Sequence, residues 1–257
     1  MDVMIKLAGC TISIYTSNKV VFAGVLAGEM ARLFGYQPIE FEPHIGSDEV
    51  GTGDYFGPVC VCAAYVDDSH LSLIDSLSIK DSKLLNDNQV IELANQLRDI
   101  IPHSLLVLSN RQYNLVQKTT NLNAIKAKLH NQALMHLIKK IKTTPTIIVD
   151  QFTPEDNYYR YLNKEPHIVK GITFSTKAES KYVGVAIGAI LARAAFIEAF
   201  KQLETQLNMH LPKGASDAVD DVAATIVKTH GWPMLDKVAK MHFKNTLRVS
   251  TKIKTDD

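Results

Sequence analysis

Four acidic residues carry the chemistry that this sequence could do. Asp48 and Glu49 stand side by side in IGSDEVGTGDYFGPV, residues 45–59, where an apolar strand should be running inward; Asp150 ends the apolar run TIIV; Glu179 sits where KAES opens a long apolar helix. Acidic groups at strand ends and at a helix N-terminus converge on one edge of an α/β sheet. Consecutive strand residues point to opposite faces, so one of Asp48 and Glu49 is predicted to be buried, and a buried carboxylate needs a partner. No cation lies nearby in the sequence, which leaves a metal ion as the natural candidate. Hard divalent ions such as Mg²⁺ take carboxylate oxygens and share their shell with water and substrate phosphates. Four carboxylates without cysteine or histidine ligands point to a two-ion site for in-line displacement at phosphorus. Taken singly, Glu179 is also explained by the helix dipole, which favours an acid in the first turn, and Asp150 as a turn-former after a strand. The three glycines that follow the pair, Gly51, Gly53 and Gly57, lack a Cβ and let backbone approach a sugar-phosphate chain closely.

From residue 45 onward the elements that must position these acids follow one another. An apolar strand, the glycine-rich turn and a second strand, PVCVCAAYVD, come first. A polar loop containing IKDSKLL leads to a helix over NDNQVIELANQLRDII and then to the strand HSLLVLS. A long helix is predicted over roughly 121–142, then the strands TPTIIVDQF and PHIVKGITF, then the long helix from about 179. Two shorter helices, DAVDDVAATIVKTH and MLDKVAKMHFKN, close the chain. Hairpin-type strands followed by strands alternating with helices predict an α/β fold, a mixed β-sheet flanked by helices. Ahead of it, TISIYTSNKVVFAG alternates and breaks at Ser17-Asn18-Lys19, the pattern of a β-hairpin. GVLAGEMARLFG then reads as a short helix, and GYQPIEFEPH as a linker dividing a small appendage, 1–42, from a large domain, 43–257.

Composition narrows the classes further. With 257 residues and 46% apolar content the chain can bury a sizeable core. Its 28 Lys+Arg and 27 Asp+Glu leave a formal net charge of +1, so any basic surface for a nucleic acid must be local. Lys237, Lys240, Lys244 and Arg248 recur every three or four residues and would make one basic stripe on a helix, suited to a nucleic-acid backbone or equally to a solvated face. Cys60 and Cys62 share a strand face and read as small buried residues of a reduced, cytoplasmic protein, not as a zinc site. The N-terminus lacks the long apolar core of a signal peptide. YVGVAIGAILARAAFIEAF, residues 182–200, has the length of a membrane span but carries Arg193 and Glu198, which predicts a buried helix packed closely through Gly184 and Gly188.

GSDEVGTGDYFGP, DSKLL, IIVDQF, TKAESK and AILAR, in this order, resemble the type 2 ribonucleases H, in particular the ribonuclease HIII branch. The likeness runs from about residue 44 to about 246 and includes PHSLL, KLHNQAL, LPKGA and HFKN. The resemblance implies an RNase H-like fold with its acids at the centre of the sheet. It implies endonucleolytic cutting of the RNA strand in RNA/DNA hybrids, leaving 5′-phosphate and 3′-hydroxyl ends, and dependence on Mg²⁺ or Mn²⁺, two ions per site. A bacterial cytoplasmic enzyme, a monomer with no obligate protein partner and no membrane, is what it implies for setting. Carried onto this chain, it implies that Asp48 bridges both ions, Glu49 completes a shell, Asp150 is the third ligand and Glu179 the fourth, where the ribonuclease HII branch has an Asp. Gly51-Thr52-Gly53 occupies the place of a Gly-Arg-Gly motif whose backbone recognises the 2′-hydroxyl beside the scissile phosphate, the group that separates RNA from DNA. Thr52 in place of Arg implies a preference for longer RNA tracts over single ribonucleotides, and Lys83 of DSK is the implied phosphate contact.

Two other activities fit the same motifs. One is junction cutting of the ribonuclease HII type; the other is a catalytically silent hybrid-binding module, which would gain nothing from four carboxylates repelling phosphates at its centre. The HIII branch also carries an N-terminal substrate-binding domain resembling half of a TATA-binding protein. Residues 1–42 look like the second part of that module, the chain beginning where its first strand and helix should already have passed.

Overall fold

The alternating residues of TISIYTSNKVVFAG do pair as antiparallel strands, β2 (Cys10–Ile14) and β3 (Val20–Ala23), but a further strand, β1 (Val3–Leu7), lies on the other side of β2. The expected hairpin is therefore part of a three-stranded sheet of order β1-β2-β3, followed by the helix α1 (Ala27–Leu33). Every residue of β1 is exposed, and its VMIKL sequence is a short apolar run, not the alternating pattern of β2. A computed structural model describes residues 3–17, 19–35, 41–77, 79, 84–143 and 145–255. Lys83, the expected phosphate contact, lies outside the described residues. The chain divides into two compact units, Met1–Phe41 and Glu42–Asp257.

In the second unit β4 (His44–Val50) and β5 (Val59–Val66) flank the glycine-rich turn as an antiparallel pair. After α2 (Leu71–Ser76) and α3 (Asp87–Arg98), β6 (His103–Leu108) adds antiparallel to β5. Next come α4 (Asn110–Gln117), α5 (Leu122–Ile141), and β7 (Thr146–Asp150), which joins β4 in parallel. α6 (Glu155–Tyr161) leads to β8 (Ile172–Ser175), parallel to β7, then a 3₁₀ turn at Ala178–Ser180 and the long α7 (Val183–Leu207). α8 (Asp217–His230), α9 (Trp232–Val238) and α10 (Lys244–Thr255) close the chain. The five-stranded mixed sheet has the order β6-β5-β4-β7-β8, which places the strand bearing Asp48 and Glu49 at its centre.

The two faces of that sheet are packed differently. Ile45 of β4 joins Val59, Val61 and Ala63 of β5 and Ile147 and Val149 of β7 in a core closed by α5 through Ile125, Leu134 and Leu137. The other face lies against α7 at backbone distance: a Cβ built on Gly46 would sit 2.0 Å from Val185 N, so only glycine admits this helix. His44 ties the same contact down, Nδ1–H donating to Glu42 O at 2.7 Å while Nε2 accepts Gly184 N–H at 3.0 Å. Burial lowers the pKa of His44, as this neutral tautomer requires. α7 is long and apolar enough to cross a membrane by composition, but most of its apolar stretch is buried inside the fold.

Several elements depart from the sequence pattern. MLDKVAKMHFKN breaks after Val238 instead of forming one helix, and α10 begins at Lys244. The strand expected in PHIVKGITF is confined to Ile172–Ser175. α4 is a helix that the sequence expectations lack, and it opens on a capping box in which Ser109 accepts from Gln112 N–H and the Gln112 side chain reaches back to Ser109 N–H.

Candidate metal centre

β4 ends in Asp48-Glu49-Val50, and the pleat sends the two acids to opposite sides of the sheet. Asp48 shares the side of His44 and Gly46, facing α7. The parallel register Ser47↔Val149 brings Asp150, the last residue of β7, level with it. β8 carries the chain out to the 3₁₀ turn, where Ala178 N–H donates to Asp150 Oδ1 at 2.7 Å and so places the next residue, Glu179, beside it. Glu179 thus sits on a separate turn before α7, not in the helix itself. Carboxylate oxygens of Asp48, Asp150 and Glu179 all lie within 4.8 Å of one another, and the three residues are half-buried. They open into a pocket whose far wall is Ala186, Ala189, Ile190 and Arg193 of α7. Arg193 reaches out of α7 to donate to Leu85 O at 2.9 Å, with Asp87 at 3.5 Å.

This cluster opposes its own charge. Burial, first, and the neighbouring Glu49, Asp150 and Glu179 carboxylates push the pKa of Asp48 well above the usual range, against the lowering pull of Glu49 N–H on its Oδ1. Asp150 is raised as well, by burial and then by Glu179 and Glu49. Three converging carboxylates offer oxygen ligands only, the donor set of a hard divalent cation. Among the described residues no zinc-type cysteine or histidine set accompanies them. Cys60 and Cys62 are free thiols buried in β5, and burial pushes the Cys60 pKa up to about 12.

Glu49 is in a different environment. Its Oε1 accepts from Lys126 Nζ at 2.8 Å and its Oε2 from His130 Nε2 at 2.9 Å, both on α5. His130 Nδ1 is in turn hydrogen-bonded to Ser47 Oγ at 2.8 Å, and the Phe152 ring stacks on the imidazole and lies 4.0 Å beneath Lys126 Nζ. Burial works to raise the pKa of Glu49, but His130 and Lys126 outweigh it and hold the carboxyl below its usual value. The expectation that the acidic pair has no cation for a partner is therefore corrected for Glu49. Its partners are 77 and 81 positions along the chain, and the available signal was their i, i+4 spacing on the buried side of α5. Glu49 lies near enough to raise both Asp48 and Asp150, but its oxygens are not in the group of three.

The loop after β4 is built to a fixed shape. Gly51 has φ +92°, and a Cβ there would lie 2.3 Å from Pro58 O, whereas a Cβ on the exposed Gly53 would meet nothing. The first glycine is thus required by the loop's own geometry, and the second leaves its outer surface bare. Thr52 between them is half-buried. The expected basic stripe does not form: Lys237 and Lys244 lie on different helices, Lys240 is fully buried between them, and Arg248 is ion-paired to the buried Asp220.

A profile of the family Ribonuclease HII matches residues 45–246. The chain is 41% identical over 271 aligned residues to ribonuclease HIII of Bacillus mycoides (strain KBAB4), covering 95% of this chain and 86% of that protein. It is 39% identical to ribonuclease HIII of Listeria monocytogenes serotype 4b (strain CLIP80459), covering 97% and 88%. Among solved structures, Bst-RNase HIII in complex with Mn²⁺ superposes with a TM-score of 0.82 at 39% identity, over 98% of this chain and 89% of that one. The ribonuclease H2 of Pyrococcus horikoshii OT3 shares the fold, with a TM-score of 0.69 at 19% identity, over 82% of this chain and 99% of that one.

Proposed function

The chain belongs to the type 2 ribonuclease H family, in its ribonuclease HIII branch, and on that premise we propose that it cuts the RNA strand of RNA/DNA hybrids at Asp48, Asp150 and Glu179 with divalent metal ions. The observation that carries this reading is the meeting of those three carboxylates from β4, β7 and the 3₁₀ turn, each raising the charge problem of the next. Mn²⁺ bound to the similar Bst-RNase HIII supports the choice of metal, and Mg²⁺ satisfies the same oxygen donors. When bound, such ions supply charge stabilisation at phosphorus and a water of lowered pKa. Asp48, whose carboxyl is pushed up more strongly than that of Asp150, is the residue proposed to serve both ions, and Asp150 and Glu179 would complete their ligands. Glu49 is proposed as the fourth carboxylate. Its two oxygens each accept one hydrogen bond from α5, and a carboxylate has about four lone-pair sites, so it keeps acceptor capacity.

Gly51-Thr52-Gly53, immediately beyond the acids, is proposed to read the 2′-hydroxyl through its backbone, and Lys83 to contact a phosphate. The small unit of three strands and a helix is proposed as a substrate-binding module. All four acids come from one chain, which supports action as a monomer, and three buried free thiols suit a reducing cytoplasm.

One assay tests the reading. A labelled hybrid with a long RNA tract and a DNA duplex with a single embedded ribonucleotide are each incubated with and without Mg²⁺ or Mn²⁺. Metal-dependent cutting of the long tract, with the single ribonucleotide spared, is the expected result. Cutting at the single ribonucleotide would reassign the activity to the HII type, and binding without cutting in either metal would overturn the proposed chemistry.

A further inference from the structure

Lys240 is fully buried, yet the polar atoms that meet its ammonium group are main-chain carbonyls. The segment between α9 and α10 runs antiparallel to the loop after β4: Lys240 N–H donates to Tyr55 O at 2.8 Å, Gly57 N–H donates to Val238 O at 3.1 Å, and Phe56 bridges Ala239. The Lys240 side chain then turns into the loop it pairs with. Its Nζ donates to Asp54 O at 2.8 Å and to Gly57 O at 2.5 Å, with Phe56 O at 3.4 Å. Three ammonium hydrogens thus meet three acceptors, and none of the acceptors can donate in return. Asn110 at the start of α4 donates to the same Gly57 oxygen at 2.8 Å.

Burying an ammonium group costs several kcal/mol, so an apolar side chain would serve better if the site needed only filling. Burial lowers the pKa of Lys240 to about 7, with the Asp54 carboxylate and Cys60 acting in the other direction. What the cation supplies is a centre on which three carbonyls of one loop can converge. The positive φ of Gly51 and Gly57 turns the chain at the two ends of that loop, leaving Thr52 and Gly53 at its outer side.

We infer that Lys240 is a positioning residue for ribose recognition: it holds residues 54–57 from beneath so that the Gly51-Thr52-Gly53 backbone is presented to substrate in one geometry. This rests on the reading of Gly51-Thr52-Gly53 as the 2′-hydroxyl contact. Lys240 is fully buried and its ammonium group meets main-chain carbonyls, not the acids, so its loss acts on discrimination between ribose and deoxyribose, leaving the metal centre as it was.

The test compares Lys240→Met and Asn110→Leu with the unaltered protein. Dissociation constants for an RNA/DNA hybrid and for the DNA duplex of the same sequence are measured in EDTA, where no cutting occurs, and the Mn²⁺-induced rise in melting temperature is measured without nucleic acid. The expected result is that Lys240→Met reduces the preference for hybrid over DNA roughly tenfold and Asn110→Leu about threefold, the scale of one or two lost hydrogen bonds. KM for cleavage rises in parallel, and the Mn²⁺ shift is unchanged. Variants that keep the original preference overturn the inference, as does a preference lost together with the Mn²⁺ shift, which would mean general collapse. If Lys240→Met does not fold, Asn110→Leu, acting on the same Gly57 oxygen, decides alone. An unaltered protein with no preference for hybrid would instead remove the reading of Gly51-Thr52-Gly53, and the inference with it.

Discussion

Two adjacent residues of β4 face opposite sides of the sheet and meet opposite electrostatic environments. On the α7 side, Asp48 looks onto Asp150 and Glu179, and its pKa is driven up. On the α5 side, Glu49 is held between Lys126 and His130, and its pKa is driven down. One side gathers negative charge that an incoming cation would relieve; on the other, Lys126 and His130 already stabilise the carboxylate. The contrast teaches that burial alone does not leave a carboxylate's charge unbalanced, since Glu49, the proposed fourth carboxylate, has Lys126 and His130 beside it. The demand for a cation is strongest where a carboxylate is buried among like charges from separate elements, as Asp48 is.

The largest effect expected from breaking this contrast is on the α7 side. Asp48→Asn keeps the shape and the hydrogen bond from Glu49 N–H but removes the charge at the centre of the cluster. Cleavage should fall by at least about 10³-fold, the scale of losing a central electrostatic group. The same variant should lose the rise in melting temperature with Mn²⁺, and its metal-free form should melt no lower than the unaltered protein, since a self-repelling charge has gone. Single-turnover cleavage together with thermal melts checks both halves. Retained activity would take Asp48 out of the site.

The paired side should respond in stability. Lys126→Met leaves Glu49 buried without its lysine partner, and breaking a buried pair costs about 3 kcal/mol or more. Urea denaturation of metal-free protein measures it. Combining Lys126→Met with Glu49→Gln should recover part of the loss, because the carboxylate is then no longer an uncompensated charge. A Lys126→Met protein as stable as the original would mean that Glu49 does not depend on α5.

How much of this was legible beforehand follows the range of the interactions. The strands carrying Asp48 and Asp150 announce themselves by apolar runs that end in acid, and the close packing of α7 is readable in Gly184 and Gly188, whereas the matching Gly46 of β4 shows its purpose only where its missing Cβ admits Val185. Lys126 and His130 are not legible as partners of Glu49, because on the sequence they are two polar residues in a helix and only the fold lays that helix across β4. The buried position of Lys240 is hidden in the sequence for the same reason. Its spacing from Lys237 and Lys244 fits a helical stripe, and the break at residues 239–243 that turns it inward is set by pairing with a loop some 180 positions earlier. β1 does carry a signal, the short apolar run Val3, Met4, Ile5 and Leu7, but with every residue exposed it lacks the alternation that marks β2.

The smallest expected effect, and the one that sets the two sides of β4 directly against each other, is on the pH dependence of stability without metal. Asp48 and Asp150 have folded pKa values above their ordinary 3.8, so between 3.8 and those raised values the folded protein binds more protons than the unfolded chain. Their contribution to stability is greatest below 3.8 and is lost as pH rises through the raised values. Glu49 has the opposite sign. Its folded pKa lies below 4.5, so its contribution is complete above 4.5 and is lost as pH falls through the folded value. Raising the pH of metal-free protein from 4.5 should therefore lower stability through the Asp48 cluster while the Glu49 pair stays constant. Asp48→Asn should flatten that decline, and Lys126→Met should leave it in place. Mn²⁺ at neutral pH should lift the unaltered protein above its metal-free form, because the cation binds where the protons have left. A decline unchanged in Asp48→Asn would place the titrating charge elsewhere and dissolve the contrast between the two sides.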